Sequence, residues 1–479
     1  MLRTLLLLGV LAAAWSPSQA QDRVLLYDRW FSAATMRVDY FHTGGLNTES
    51  VALDRVLDDG PWPGSRTTLL DTSGLGGYVF RVDDAATRTA IYSKGFSSIF
   101  AEWITSAEVS STHRTFHESI RFPWPKVAVR VTLEARESGG TLREVWSTVL
   151  DPALVDVTQT RVAAPAAVWS MWESGPTSTK VDLLLVPAGY TASQLPKYHV
   201  DAARLIEAMF SVEPYKSRRT DFNVRGLDIA ADQAGVSRPH QGVYRRDALG
   251  VEYNIFGTDR YMLATNNRAL RDLASAAPYD AIEVLVNEKI YGGGGIFNAH
   301  ATVAVDGPAA PAVFVHEFAH HFAGLADEYY GASVAYRTGQ RQPSEPWEPN
   351  VTALADPTAL KWRDMATTGV PIPTPWDRAA YDRVVKSFQD RPVTLRKSGT
   401  PVVDLNGMAN EERTALSQLL ANERHAAAVG AFEGAAYEPT ALYRPSLRCV
   451  MFSRDDADFC KVCQRAISRA IDRHGAGQP

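Results

Sequence analysis

Residues 312–330 read AVFVHEFAHHFAGLADEYY, and this stretch decides the fold of the chain around it. Its apolar residues recur at helical spacing, and Gly324 stands where a helix ends in a left-handed residue. His316 and His320 are four residues apart, so both imidazoles project from one face of the predicted helix. Because imidazole nitrogen is a preferred ligand of zinc, the pair predicts a zinc site.

Glu317 lies beside the predicted metal, because it is about 100° around the helix from His316. Its carboxylate is placed to take a proton from a water whose pKa zinc lowers from about 15.7 towards ~7. The same carboxylate can then pass the proton to the leaving amine of a cleaved peptide. We therefore expect one catalytic Zn²⁺ ion, with Glu317 as the general base of peptide hydrolysis.

A catalytic zinc usually has three protein ligands and one open position. Asp327 is the expected third ligand, because it follows His320 by seven residues, just past Gly324, where the chain can turn back beneath the metal. The adjacent Glu328 is the alternative third ligand. His321 points about 100° away from His320, which favours a surface position or a supporting role.

The composition of the 479-residue chain is that of a globular protein, with 45% hydrophobic and 22% charged residues. A net charge of -5 argues against nucleic acid as a partner. Residues 1–20 combine Arg3, an apolar run at 5–15 and a small-x-small ending at Ala20, which is typical of a secretory signal peptide. We expect an exported protein, periplasmic or extracellular, without a membrane span in its mature chain.

Two domains are predicted after the signal peptide. Residues 21–165 carry short alternating apolar segments separated by turn residues, which indicates an all-β sandwich. In residues 166–479, near-continuous apolar strands at 181–186 and 281–286 alternate with helical patterns, which indicates an α/β domain. Four glycines at 292–295 fit a bulged edge strand or a close approach of backbone to a ligand, and they lack the Lys and Ser/Thr of a phosphate loop.

The three cysteines, Cys449, Cys460 and Cys463, lie within fifteen residues of one another. In an exported protein we expect a local disulfide of Cys449 with Cys460 or Cys463, and one remaining thiol. A zinc knuckle formed by all three thiolates is the alternative. It lacks a clear fourth ligand nearby in the sequence.

Residues 316–329, HEFAHHFAGLADEY, resemble the zinc signature of the IgA-peptidase family of metalloendopeptidases, which are metzincin-like zinc peptidases. Compared with the metzincin pattern, Gly324 and Asp327 each fall one residue later. Other segments are similar to the family as well, namely VDLLLVPAGY at 181–190, EKIYGGGGIFN at 288–298, AFEGAAY at 431–437 and, in the N-terminal region, RVDYFH at 37–42.

This resemblance implies a zincin-type α/β (α+β) metallopeptidase domain preceded by an accessory β-domain. It also implies that Met451 forms a Met-turn, an apolar floor beneath the zinc histidines. Tyr437 or Tyr443 would donate a hydrogen bond to the oxyanion of the tetrahedral intermediate. The strand at about 296–304 would line the cleft and pair with an extended substrate.

The implied substrate is a protein or peptide, but immunoglobulin A is not assumed, because cleft shape and loops decide substrate choice. The oligomeric state stays open. A second hypothesis is an exported binding protein with a structural or degenerate zinc site, although such a site has no use for Glu317. A third is a zinc hydrolase that acts on a non-peptide amide.

Overall fold

The computed structural model describes residues 26–154, 157–158, 166–330, 344–354, 356–397, 405–452 and 458–475. The predicted signal peptide, residues 1–20, lies outside the described residues. Within these ranges, no helix combines the length and apolar character needed to cross a membrane.

The N-terminal region consists mainly of strands, as its alternating apolar segments predict. The strands are β1 (Phe31–Gly45), β2 (Thr48–Pro61), β3 (Tyr78–Asp84), β4 (Ala90–Phe96), β5 (Arg114–Pro125), β6 (Val129–Arg136), β7 (Leu142–Leu150) and β8 (Val157–Thr158), and the short helices are α1 (Tyr27–Trp30) and α2 (Ile99–Trp103). They form two four-stranded sheets, ordered β5-β1-β2-β8 and β4-β3-β6-β7. Val38 and Phe122 of the first sheet share one apolar core with Phe80 and Val131 of the second.

The rest of the chain is a mixed α/β region. Its strands are β9 (Ala167–Trp172), β10 (Val181–Ala188), β11 (Phe222–Asp228), β12 (Val251–Glu252), β13 (Leu263–Ala264), β14 (Ala281–Val286), β15 (Gly293–Ile296), β16 (His300–Ala304), β17 (Phe432–Ala435) and β18 (Glu438–Arg444). Its helices are α3 (Leu195–Met209), α4 (Asn267–Ala274), α5 (Ala310–Ala323), α6 (Arg378–Lys397), α7 (Leu405–Ala421) and α8 (Lys461–His474). Sequence patterns predict helices at about 193–210, 409–429 and 460–473, which overlap α3, α7 and α8, whereas α4 and α6 are not predicted.

A six-stranded sheet, ordered β15-β16-β14-β10-β11-β9, forms the centre of this region. Its four inner strands run parallel, and the edge strands β15 and β9 are antiparallel to their neighbours. Leu183 and Leu185 of β10 pack with α3, α5 and α8 on one face, while Leu184 and Val186 pack with α4 on the other. Because helices cover both faces, every residue of β10 and β14 is buried, as their continuous apolar runs predict.

The two regions meet through a polar interface. Arg37, which is fully buried on β1, pairs with Asp272 of α4, and Arg55 Nη2 lies 2.6 Å from the same carboxylate. Asn298, in the turn after β15, donates a hydrogen bond of 2.8 Å to the carbonyl of Gly95. The N-terminal sheets are thereby held against both α4 and the β15–β16 turn.

The glycine run at residues 292–295 allows β15 to pack directly against α5. A Cβ on Gly295 would lie 2.3 Å from the backbone oxygen of Glu317, and a Cβ on Gly293 would lie 3.1 Å from Cγ of Glu317. The other two glycines face tyrosine rings on the opposite side of the strand. The predicted close approach therefore exists, but it is made to the helix that carries the histidines.

Substituting Gly295 with alanine should separate β15 from α5, since the added methyl group collides with backbone atoms that cannot turn aside. We expect Gly295→Ala to lower the free energy of unfolding by about 1–3 kcal/mol, as for other overpacked sites. Denaturant titration provides the measurement. Gly475→Ala is the control, because its methyl group would have no described neighbour closer than 3.7 Å. Equal stability of the two variants would contradict the steric role.

Candidate active site

Helix α5 carries the predicted zinc histidines and ends where the sequence predicts. Gly324 adopts a left-handed conformation with φ 64° and ψ 32°, and its N–H donates to the carbonyl of His320 at 3.1 Å. The side chains of His316 and His320 extend from the last turns of the helix, and their Nε2 atoms lie 3.0 Å apart. The helical spacing therefore brings the two imidazoles together.

The segment after Gly324 turns back and brings Asp327 to the histidines. The buried amide of Asn350 holds this turn on both sides, since its Oδ1 accepts from Ala326 N at 2.8 Å and its Nδ2 donates to Ala326 O at 2.9 Å. Asp327 Oδ1 then lies 2.9 Å from His316 Nε2 and 3.3 Å from His320 Nε2. The structure thus groups Asp327 with the histidine pair.

The tautomers of the two histidines follow from their other hydrogen bonds. His316 Nδ1 lies 3.1 Å from the carbonyl oxygen of Val450, and His320 Nδ1 lies 2.5 Å from that of Leu325. A carbonyl oxygen only accepts, so each Nδ1 carries a proton, and the Nε2 atoms are the nitrogens that face each other and Asp327. Two imidazole nitrogens and the Asp327 carboxylate form a ligand set that fits a divalent zinc ion.

Glu328, the alternative third ligand, points away from this group. Its Oε1 accepts hydrogen bonds from Asn350 Nδ2 at 3.0 Å and from the thiol of Cys463 at 3.1 Å. Its backbone N–H donates to the carbonyl of Met451 at 2.8 Å. Met451 itself is fully buried in the apolar cluster that includes Phe318 of α5.

Glu317 lies on the cleft side of α5, half-buried next to the histidines. Burial raises the pKa of its carboxyl group, while His316 and His320 act in the opposite direction. Its Cγ occupies space that a side chain at Gly293 would fill. This carboxylate is therefore shielded by backbone on one side and open to the cleft on the other.

His321 is buried, so the predicted surface position is wrong. Its Nδ1 donates to the carbonyl of Ile296 at 3.0 Å, and its Nε2 accepts from the N–H of Ile282 at 3.2 Å. Burial lowers the pKa of this histidine to about 3, which keeps the ring neutral. The helical position of His321 does not predict its burial, because the sheet that covers this side of α5 is formed by other segments of the chain.

Of the two tyrosines expected to act on the oxyanion, Tyr437 is the one at the site. Its hydroxyl donates to Asp327 Oδ2, and its N–H donates to the carbonyl of Tyr329 at 3.0 Å. Tyr437 holds a φ of 66°, which is unusual for a non-glycine residue and costs free energy. Tyr443 instead pairs its backbone with Thr352 and is not among the described residues that line the cleft.

Two further side chains at the site carry no role in the sequence analysis. The ring of Tyr329 lies 6.3 Å from that of His316 and nearly parallel to it, at 22°. The guanidinium of Arg260 lies 6.0 Å from the centre of the Tyr329 ring and lines the cleft. Tyr329 belongs to the quoted motif, whereas no spacing signal connects Arg260 to it.

A cleft of 1480 Å³ opens over these residues. His316, Glu317, His320, Asp327 and Tyr437 all line it. Edge strand β15 contributes residues 293–295, and the N-terminal region contributes further lining residues, including Tyr78, Ala101 and Glu102. The strand expected to line the cleft at about 296–304 is mainly β16, which lies inside the sheet, so that expectation is wrong. The strand that reaches the cleft is β15, which ends at Ile296.

Comparison with protein families places both regions of the chain. A family model described as IgA Peptidase M64 matches residues 170–471, and a second, described as Peptidase M64 N-terminus, matches residues 26–147. A search of curated proteins gave no match. The matched residues include the histidine pair, Glu317, Asp327 and the cleft around them. The resemblance noted in the sequence is confirmed, and the chain belongs to the IgA peptidase M64 family, a family of peptidases.

Proposed function

We propose that this chain is an exported zinc-dependent endopeptidase. In this proposal His316, His320 and Asp327 hold the zinc ion, and Glu317 is the general base. The observation that carries it is the convergence of two imidazole Nε2 atoms and one carboxylate on the wall of a cleft. Zinc bound there would act as a Lewis acid on a peptide carbonyl and lower the pKa of a water molecule.

Glu317 moves the proton in this reaction. Its carboxylate takes a proton from the attacking water and delivers it to the amine of the leaving peptide. Burial raises the pKa of Glu317, which brings a carboxyl group closer to the value that suits proton transfer near neutral pH. The backbone of β15 behind the side chain restricts where the carboxylate can turn.

Tyr437 has two roles in the proposal. In the free protein its hydroxyl donates to Asp327 Oδ2 and so orients the third ligand. When substrate is bound, the same hydroxyl would turn to the oxyanion that forms on the attacked carbonyl. Tyr443 fits this role less well, since it is absent from the described lining of the cleft.

The cleft suits an extended polypeptide substrate. Strand β15 lines the cleft, and its outer edge is paired with residues 260–262 at Gly293 and with Ser97 just past its end at Phe297. A peptide would therefore pair with the main chain between them, around Gly295. The N-terminal region borders the same cleft and would contact residues of the substrate farther from the cleaved bond.

The finer architecture belongs to the same proposal. We take residues 166–479 as a zincin-type domain and 21–165 as a β-sandwich, whose two sheets share one core. Met451, buried with residues of α5, forms the floor beneath the histidines. Residues 1–20 direct export to the periplasm or the outside of the cell.

Replacing Glu317 with glutamine removes the base and keeps the shape of the side chain. We expect Glu317→Gln to reduce cleavage of unfolded casein by about 10²–10⁴-fold, the usual contribution of a general base. Its zinc content should equal that of the unmodified mature protein, and a chelator should abolish the activity of the latter. Glu207→Gln, on the exposed side of α3, is the matched control and should be fully active.

Full activity of Glu317→Gln would refute the assigned base. Stoichiometric zinc without any cleavage by the unmodified protein would favour a binding protein. Hydrolysis of small amides alone would favour the non-peptide hydrolase.

Removing the third ligand should weaken metal binding at the histidine pair. Loss of a residue that only hydrogen-bonds to a zinc ligand typically lowers zinc affinity by about 10–100-fold. Because Asp327 would itself be a ligand, we expect Asp327→Ala to lower zinc affinity by more than this. Competition with a chelator measures this. Asp382→Ala removes another carboxylate of the cleft and should leave the affinity unchanged. Unaltered affinity in Asp327→Ala would exclude this ligand.

The two tyrosines provide a matched pair for the oxyanion role. Tyr437→Phe should lower kcat by about 10²–10³-fold, as for loss of one oxyanion donor, with a smaller change in KM. Tyr443→Phe should retain kcat. Steady-state kinetics on a labelled peptide, with zinc content measured in parallel, separates lost catalysis from lost metal. A loss confined to Tyr443→Phe would move the role to that residue.

A further inference from the structure

A second group of metal-binding side chains lies behind Asp327. It consists of Glu328, Cys449, Cys460 and Cys463, all of them buried, with ligand atoms that lie within 4.8 Å of one another. The carboxylate reaches the cysteines from a distant part of the chain. It supplies the fourth ligand that is missing from the sequence around the cysteines.

Backbone N–H groups donate to two of the three sulfur atoms in this cysteine–glutamate cluster. The N–H of Cys460 donates to Cys449 Sγ at 3.3 Å, and the N–H of Cys463 donates to Cys460 Sγ at 3.5 Å. Cys460 and Cys463 also form a Cys-x-x-Cys pair at the start of the 14-residue helix α8. Backbone donors and a helix N-terminus both stabilise a negatively charged sulfur.

Glu328 provides the second, independent observation. Its side chain is fully buried, and its Oε2 makes no hydrogen bond with any described residue. Leaving a buried carboxylate oxygen without a partner is costly. A disulfide between two of the cysteines would not provide a partner for this oxygen or a role for the third thiol. A metal ion would bind all four side chains.

We propose that Glu328, Cys449, Cys460 and Cys463 bind a structural zinc ion. Three thiolates and one carboxylate give the four ligands of a closed tetrahedral site. The predominance of sulfur favours zinc over magnesium or calcium. The buried guanidinium of Arg444 interacts electrostatically with Glu328 and Cys449, and it offsets part of the negative charge.

This second ion would position residues of the active site. Glu328 directly follows Asp327, and its N–H bonds to the carbonyl of Met451 at 2.8 Å. The neighbouring carbonyl of Val450 accepts the Nδ1 proton of His316 at 3.1 Å. Fixing Glu328 to the cysteines therefore holds both the third ligand and the backbone acceptor of the first histidine.

Counting thiols in the unmodified mature protein separates the metal site from a disulfide. The protein is alkylated in denaturant with a chelator and without a reductant, and its intact mass is measured. A metal–thiolate site leaves all three cysteines open to alkylation. A single alkylated cysteine would show a disulfide and overturn the proposal.

Metal content then tests whether the thiols bind an ion, independently of peptidase activity. We expect two zinc ions per chain in the unmodified protein and one in the double variant His316→Ala/His320→Ala. After replacement by cobalt, that variant should keep the absorption of thiolate-to-cobalt charge transfer, and Cys460→Ala should lose it. A folded double-histidine variant that binds no metal would overturn the proposal.

Glu328→Gln tests the fourth ligand with the smallest change in shape. We expect it to release the thiolate-bound ion to a chelator at least about 10-fold faster than the unmodified protein, because one ligand is weakened. Glu433→Gln, a half-buried carboxylate that is not part of the cluster, is the matched control. Equal release from both variants would exclude Glu328 as a ligand.

Discussion

The active-site region depends on one constraint, which is that two imidazole Nε2 atoms lie 3.0 Å apart beside the carboxylate of Asp327. Two rings stay this close only if the surroundings fix both of them. The carbonyls of Val450 and Leu325 fix the rings, and Gly295 allows the sheet to support the helix from below. Chain segments far apart in sequence therefore meet at one helix turn.

Much of this region could be predicted because its signals are local. The helical period accounts for the spacing of His316 and His320, and a left-handed backbone conformation accounts for the helix end at Gly324. Continuous apolar runs in the sequence likewise mark the strands β10 and β14. The burial of His321 and the hydrogen bonds between Asn350 and Ala326 could not be predicted. Both depend on which distant segments of the chain pack against these residues. Glu328 shows the limit most clearly. The sequence marks it only as the less favoured zinc ligand, and its place beside the cysteines depends on how distant segments pack.

Asp327 and Glu328 point to opposite sides of one backbone segment. As in any extended chain, neighbouring side chains alternate, so one carboxylate faces the histidines and the other the cysteines. Asn350 contacts the segment at Ala326 and at Glu328, on either side of Asp327. A displacement of this short segment would therefore disturb both groups together, which couples the rigidity of the buried cluster to the geometry of the cleft.

The wall of the cleft at residues 293–295, which has no side chains, has an evolutionary consequence. A side chain at 295 would collide with the backbone of α5, and one at 293 would be crowded by Val313 and Glu317, so the surface of this wall is main chain. Main-chain contacts are shared by all peptides and discriminate little between sequences. Divergence of substrate preference among related enzymes with this glycine strand would have to arise on the opposite wall, where the N-terminal region and the loops can accept mutations.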